Sequence, residues 1–265
     1  MKATRWKGLL KKEWVLMKSG ILIYTLITMI VVLAGPTFVH YLFGVPINFF
    51  ENTMVIAGLW LVFGTLMNCG IIFSSLGKEM KQPHIWLHSP VSMLEFVTVK
   101  AVFSTLVTIC LTAWCQILIV VQFFFSDATL AVTYFDAFLT LVSVLIAIVL
   151  NSIFIMSIAF FFWSVYQVCR SRIGGIAILV AIGFFFVASY VWEKFRVAGL
   201  FHAVREIGPI KLTKTTFYNE STSYFFTGIV PEGVITSVGS LVFYGFITLA
   251  LLWLGTLLFE KKVRL

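Results

Sequence analysis

The sequence predicts an all-α membrane protein of six transmembrane helices, and three observations carry that reading. The first is composition: of 265 residues, 60% are hydrophobic and only 11% are charged, with a mean hydropathy of +1.03. A soluble chain carries about 25% charge. The second is patterning: Asp, Glu, Lys and Arg are missing from 19–50, 52–77, 101–126, 137–169, 173–192 and 233–259. Each run reaches the roughly 20 residues that a helix needs to cross about 30 Å of hydrocarbon. The third is where the cations sit. Lys2, Arg5, Lys7, Lys11, Lys12 and Lys18 precede the first run. Lys78, Lys81 and Lys100 separate the second from the third, Arg170 and Arg172 the fourth from the fifth, and Lys261, Lys262 and Arg264 close the chain. Short loops rich in Lys and Arg stay in the cytoplasm, so both termini are expected there, with an even number of crossings. A soluble enzyme, a secreted disulfide scaffold and a disordered chain are excluded. The net charge of +8 reads as orientation and contact with membrane lipids of negative charge, with no nucleic acid as partner.

The elements follow in order. Residues 4–18 read as an N-terminal interfacial amphipathic helix, with Trp6, Leu10, Trp14 and Met17 on one face and the lysines mostly elsewhere. The plainer use is an orientation signal. The first apolar run is too long for a signal-peptide core and lacks a small-residue cleavage site, so it is expected to be retained. Span one covers 21–43, with a bend expected at Gly35–Pro36, and span two covers 53–76. A cytoplasmic segment, 77–95, leads to span three at 97–125. Span four is 136–165, span five 174–192 and span six 234–259. Spans three and four exceed what a bilayer requires and should tilt or project.

The segment 193–233 between spans five and six is expected outside. Its five basic residues are offset by Glu193, Glu206, Glu220 and Glu232, and long loops cross largely regardless of charge. It turns aromatic at 217–231, where a partial re-entry into the membrane fits if other spans shield the backbone. An external loop with aromatic anchors fits the same residues. Asn219-Glu220-Ser221 matches a glycosylation acceptor, a pattern common by chance. Cys69, Cys110, Cys115 and Cys169 suggest no disulfide framework. No internal repeat is visible, so 1–265 reads as a single transmembrane domain.

Chemistry-bearing motifs are few. The chain lacks G-x-x-x-x-G-K-[ST], H-E-x-x-H and G-x-S-x-G, so no catalytic residue is assigned. His84 and His88 alone make a poor metal site, because three or four ligands are usual. The uncharged spans weaken the case for an ion-driven carrier. Their polar groups are neutral: Asn68, Gln116, Gln122, Asn151 and several hydroxyls. Ser104, Thr108, Thr112 and Gln116 recur every four residues, as do Ser143, Ala147 and Asn151. That spacing drifts by about 40° per step, so each stripe keeps to one broad face. Two uses fit: close helix packing, or a translocation path lined by Asn68, Thr108, Thr112, Gln116 and Asn151.

The stretch 77–100 is too polar to span and too apolar for a free linker. Pro83 can open a short helix and Pro90 should end it, leaving Ile85, Trp86 and Leu87 across the inner mouths of spans two and three. Exposed Trp and Leu suit docking to a partner or resting on lipid. Leu9-Leu10-Lys11-Lys12-Glu13-Trp14, then Glu79 followed by Trp86-Leu87-His88-Ser89-Pro90-Val91-Ser92 and Lys100, resemble the permease subunits of ABC-2 type in the ABC transporter superfamily. The layout of six spans and a large outer segment is similar too. One departure is Lys81-Gln82-Pro83, where many relatives have arginine-glycine-threonine.

The resemblance implies a bacterial cell-membrane protein that is multi-pass and is itself no enzyme. A cytoplasmic coupling helix within 77–95 would dock on an ABC ATPase subunit through Glu79, Lys81, Trp86, Leu87, Ser89 and Pro90, helped by Arg170 and Arg172. ATP and Mg would sit on that partner, with no cofactor in this chain. A second permease chain, identical or related, would complete the path of an exporter. The competing reading is a stand-alone secondary transporter or channel, which usually shows an intramembrane charge or repeated halves. An intramembrane enzyme would need paired catalytic groups at membrane depth.

Overall fold

Apolar stretches with few breakers make long helices, and the computed structural model of the chain consists almost wholly of them. It describes residues 2–43, 49–80, 92–125, 134–199, 201–211 and 234–263. The helices are α1 (Lys2–Phe43), α2 (Phe49–Met80), α3 (Met93–Phe124), α4 (Tyr134–Ile173), α5 (Ala177–Val197), the short α6 (His202–Arg205) and α7 (Val238–Val263). Five stretches are long and apolar enough to cross a membrane: Arg5–Leu42, Asn52–Met80, Met93–Phe124, Phe138–Val197 and Val238–Glu260. By that measure the chain is a helical membrane protein. The fourth stretch, of 60 residues, folds back on itself. Gly174 takes φ 62 at the start of the 3₁₀ turn Gly174–Ile176, a conformation that a Cβ would strain. Beyond it, the Phe162 ring meets Phe184 and Phe185 of α5.

Contacts fix the direction of each long helix. Glu13 meets Ser75 and Tyr24 stacks on Trp60, so α1 and α2 are antiparallel. Asn68 faces Thr105 while Ser75 faces Lys100, so α2 and α3 are antiparallel. Gln116 bonds the Leu141 carbonyl and Ser104 faces Met156, so α3 and α4 are antiparallel as well. Phe154 against Tyr244 and Trp163 against Phe259 make α4 and α7 parallel. Among the described residues, six long helices therefore alternate up and down. The end holding the start of α1, the end of α2 and the α4–α5 turn is called basal here, and the opposite end apical.

Three differences from the sequence expectation stand out. Residues 4–18 are not a separate element: α1 runs unbroken from Lys2 to Phe43, through Pro36. The junction Lys18-Ser19-Gly20 holds one weak breaker, costing about 1 kcal/mol, which packing outweighs. Leu10, Leu16 and Met17 join Ile71, Phe103 and Val107 in a core between α1, α2 and α3. Trp14, expected to face lipid, is 53% exposed, whereas Glu13 is buried against the bundle. Second, the apical segment carries some strand. β1 (Pro209–Lys211) pairs antiparallel with β2 (Val234–Ser237), and the Ser237 hydroxyl donates to the Arg205 carbonyl. The aromatic part of the expected re-entrant segment, 217–231, lies outside the described residues. Third, the helices overrun the expected spans; α3 starts at Met93, where Ser92 accepts from the Glu95 amide at 3.2 Å as its N-cap.

The main core lies where α2, α3 and α4 meet, built on Ile72, Leu76, Val97, Met156 and Phe160. α4 and α7 make the most extensive helix pair. Gly255 permits it: a Cβ there would come within 2.9 Å of the Phe160 ring.

Candidate functional site: a buried charge cluster at the basal end

The most polar interior point of the bundle is basal, where α1, α2 and α3 converge. Lys100 is 1% exposed and Glu13 3%. The Lys100 ammonium lies 2.5 Å from Glu13 Oε1 and 3.0 Å from Glu79 Oε2. It also bonds the Ser75 hydroxyl, which donates to Glu13 Oε2 at 2.5 Å. Lys12 pairs with the other Glu79 oxygen. The Phe96 ring packs 4.7 Å from Lys100 and 5.8 Å from Lys12, a cation–π contact on both. Two ammonium groups and two carboxylates leave the cluster neutral, which is what permits charge to stay in so dry a place.

Local sequence explains the convergence. Glu13 projects from α1 seven residues before Gly20. Ser75 and Glu79 are four apart, hence on one face of α2, and Phe96 and Lys100 share a face of α3 by the same spacing. Lys78 adds a further tie, donating to the Leu16 carbonyl at 2.8 Å. The members are not held alike. Glu13 receives directed hydrogen bonds from Lys100 and Ser75. Glu79 is paired with two cations, Lys12 and Lys100, one at each oxygen.

The cluster sits at both ends of the 77–95 loop: Glu79 where α2 leaves the bundle, Lys100 where α3 enters it. Lys81, Trp86, Leu87, Ser89 and Pro90 lie outside the described residues. Arg170 and Arg172 are exposed at the end of α4, on the basal side with Glu79 but without contact to it. Among the residues expected to line a path, Asn68 is fully buried, and Thr108, Thr112 and Gln116 are buried also. Asn68 reaches Thr105 and Ser152 at 3.4 Å each. Gln116 Nε2 donates to the Leu141 carbonyl at 2.8 Å. Within this chain these side chains serve helix packing, while Asn151 is exposed. Thr108 and Thr112 also border a narrow crevice with Tyr24 and Trp60.

Sequence reasoning paired Glu79 with Lys100 only as the frame of a loop, and missed Glu13 and Ser75 as its partners. A signal was present: Glu13 is the sole acidic residue before Glu51, among six cations. A lone acid on a basic helix points to a specific counter-charge. Comparison of the chain with protein-family models, curated proteins and solved structures gives no match.

Proposed function

We propose that this chain is the membrane permease subunit of an ATP-driven exporter of the ABC-2 type. It has six transmembrane spans, both termini in the cytoplasm, and a separate ATPase as its engine. The observation that carries the reading is the Glu13–Lys100–Glu79 cluster. It ties the N-terminal helix to both ends of the loop that would receive an ATPase. A push on that loop acts on α1, α2 and α3 together, since separating them would expose unpaired charge in a dry interior. Trp86 and Leu87 would supply the apolar contact to the partner, with Lys81, Ser89, Pro90, Arg170 and Arg172 at its rim. Glu79, whose partner Lys12 is partly exposed, is the group that could exchange Lys12 for a partner's cation.

The count of six rests on treating the folded-back stretch Phe138–Val197 as two crossings, which the alternating helix directions favour. Orientation rests on the cations of the basal end. ATP and Mg belong to the partner. A second permease chain is expected, because the buried positions 108, 112 and 116 leave no wide path inside one copy. The family default for the cargo is an exported peptide, antibiotic, lipid or wall precursor.

The alternative, a stand-alone secondary transporter or channel, gains one observation: buried carboxylates do occur here, and such groups often couple ions. They are neutralised in place, however, and lie at one end of the bundle, away from its middle.

The test is affinity purification of the tagged chain from its native membrane. A cytoplasmic ATPase should co-elute, and Trp86→Ala should lower ATP hydrolysis by the complex while the chain remains inserted. Transport by the chain alone in liposomes, without nucleotide, would refute the proposal.

A further inference from the structure

We infer that the cleft between α4 and α5 is a binding site for an anionic phospholipid, with an acyl chain in the cleft and the phosphate at Arg170 and Arg172. The cleft is open along one side and offers about 300 Å³. Its walls are Phe162, Trp163 and Tyr166 of α4 and Ile178, Ile182 and Phe185 of α5. Ala181 lines it too, and its small side chain leaves the space open. From Ile178 to Phe185 the helix advances about 10 Å at 1.5 Å per residue, room for a substantial part of one acyl chain. Within a bilayer such a cleft holds an acyl chain by close contact with two walls.

Charge decides which guest. The Arg170 guanidinium lies over the Tyr166 ring at 6.0 Å, so a cation is held at the basal mouth of the cleft. Arg172 follows two residues later, exposed. Neither arginine has an ion pair among the described residues, and no Asp or Glu occurs from 137 to 192. An apolar peptide in the cleft would leave both cations unmatched. A phospholipid brings the chain and the anion in one molecule, and an arginine fork takes a phosphate bidentately. Basic pockets beside transmembrane helices recognise anionic headgroups in this way. The inference needs no ATPase and does not rest on the permease reading.

The experiment uses the purified, delipidated full chain. Phosphatidylglycerol or phosphatidylcholine of identical acyl chains is added, and bound lipid is counted by native mass spectrometry. Phosphatidylglycerol should bind more tightly. R170Q with R172Q should weaken it by roughly fivefold per arginine and weaken phosphatidylcholine, whose phosphate is offset by its choline, much less. Ala181→Trp, which fills the cleft, should reduce both lipids. If Ala181→Trp fails to fold, Ala181→Cys serves. Its accessibility to a thiol reagent should fall when phosphatidylglycerol is added. A headgroup preference that survives the double arginine change overturns the inference. So does cross-linking of Ala181→Cys between two copies in native membranes, which would place a second chain in the cleft.

Discussion

The two halves of the bundle are held together by different physics. On one side, α1, α2 and α3 meet basally over a neutral cluster of buried charges, with Lys100 at its centre. On the other, α4, α5 and α7 meet through shape: Phe160 against Gly255, Trp163 against Phe259, Phe162 against Phe185. Charge specifies one arrangement and penalises every other, because a displaced member is left unpaired. Apolar rings in a membrane gain little from burial as such, since lipid is equally apolar, and hold mainly by close contact. The first half is therefore built to keep its register, and the second to tolerate sliding.

The difference sets an order of sensitivity. Lys100→Met should be the most damaging change, costing about 4 kcal/mol, because Glu13 and Glu79 are left buried without a counter-ion. It would be read as a lowered melting temperature in detergent. Replacing Glu13 and Glu79 by leucine in the same chain should recover most of the loss; absence of recovery would show that the cluster is not electrostatic in origin. Gly255→Leu comes next, at about 3 kcal/mol from overpacking, and Phe160→Ala beside it should relieve part of the strain. That pair tests whether the second half depends on shape. Ser75→Ala should cost about 2 kcal/mol, the loss of hydrogen bonds to charged partners, with unfolding again monitored by temperature. Ser92→Ala should be mildest, about 1 kcal/mol through loss of the α3 cap. Faster amide exchange confined to the first turn of α3 is the expected sign.

Much of the architecture was legible in the sequence because apolar length is a direct readout of helix length. The uncharged runs located the long helices, and Arg170 and Arg172 marked the break between α4 and α5. The same criterion hid the site. Runs were cut wherever a charge appeared, so Glu13 went to a separate interfacial helix and Glu79 to a loop, although both lie inside continuous helices. Their burial is a tertiary fact: Glu13 and Lys100 are 87 residues apart, and no local pattern announces that they meet. The stripe at Ser104, Thr108, Thr112 and Gln116 was visible as a face, but which neighbour it meets depends on the bundle. The short β1–β2 pair was missed because three or four residues carry too little alternation to register.

The central claim is that α1, α2 and α3 move as one unit when a partner ATPase cycles. Spin labels at the exposed positions Trp14 and Ser74 span the charge cluster, and labels at Ser74 and Arg170 span the two halves. Pulsed electron–electron distances should be taken on the co-purified complex, without nucleotide and with ATP trapped by vanadate. The account predicts an unchanged distance from 14 to 74 and a shifted distance from 74 to 170. A shift across the cluster itself, or identical distances in both states, would contradict it.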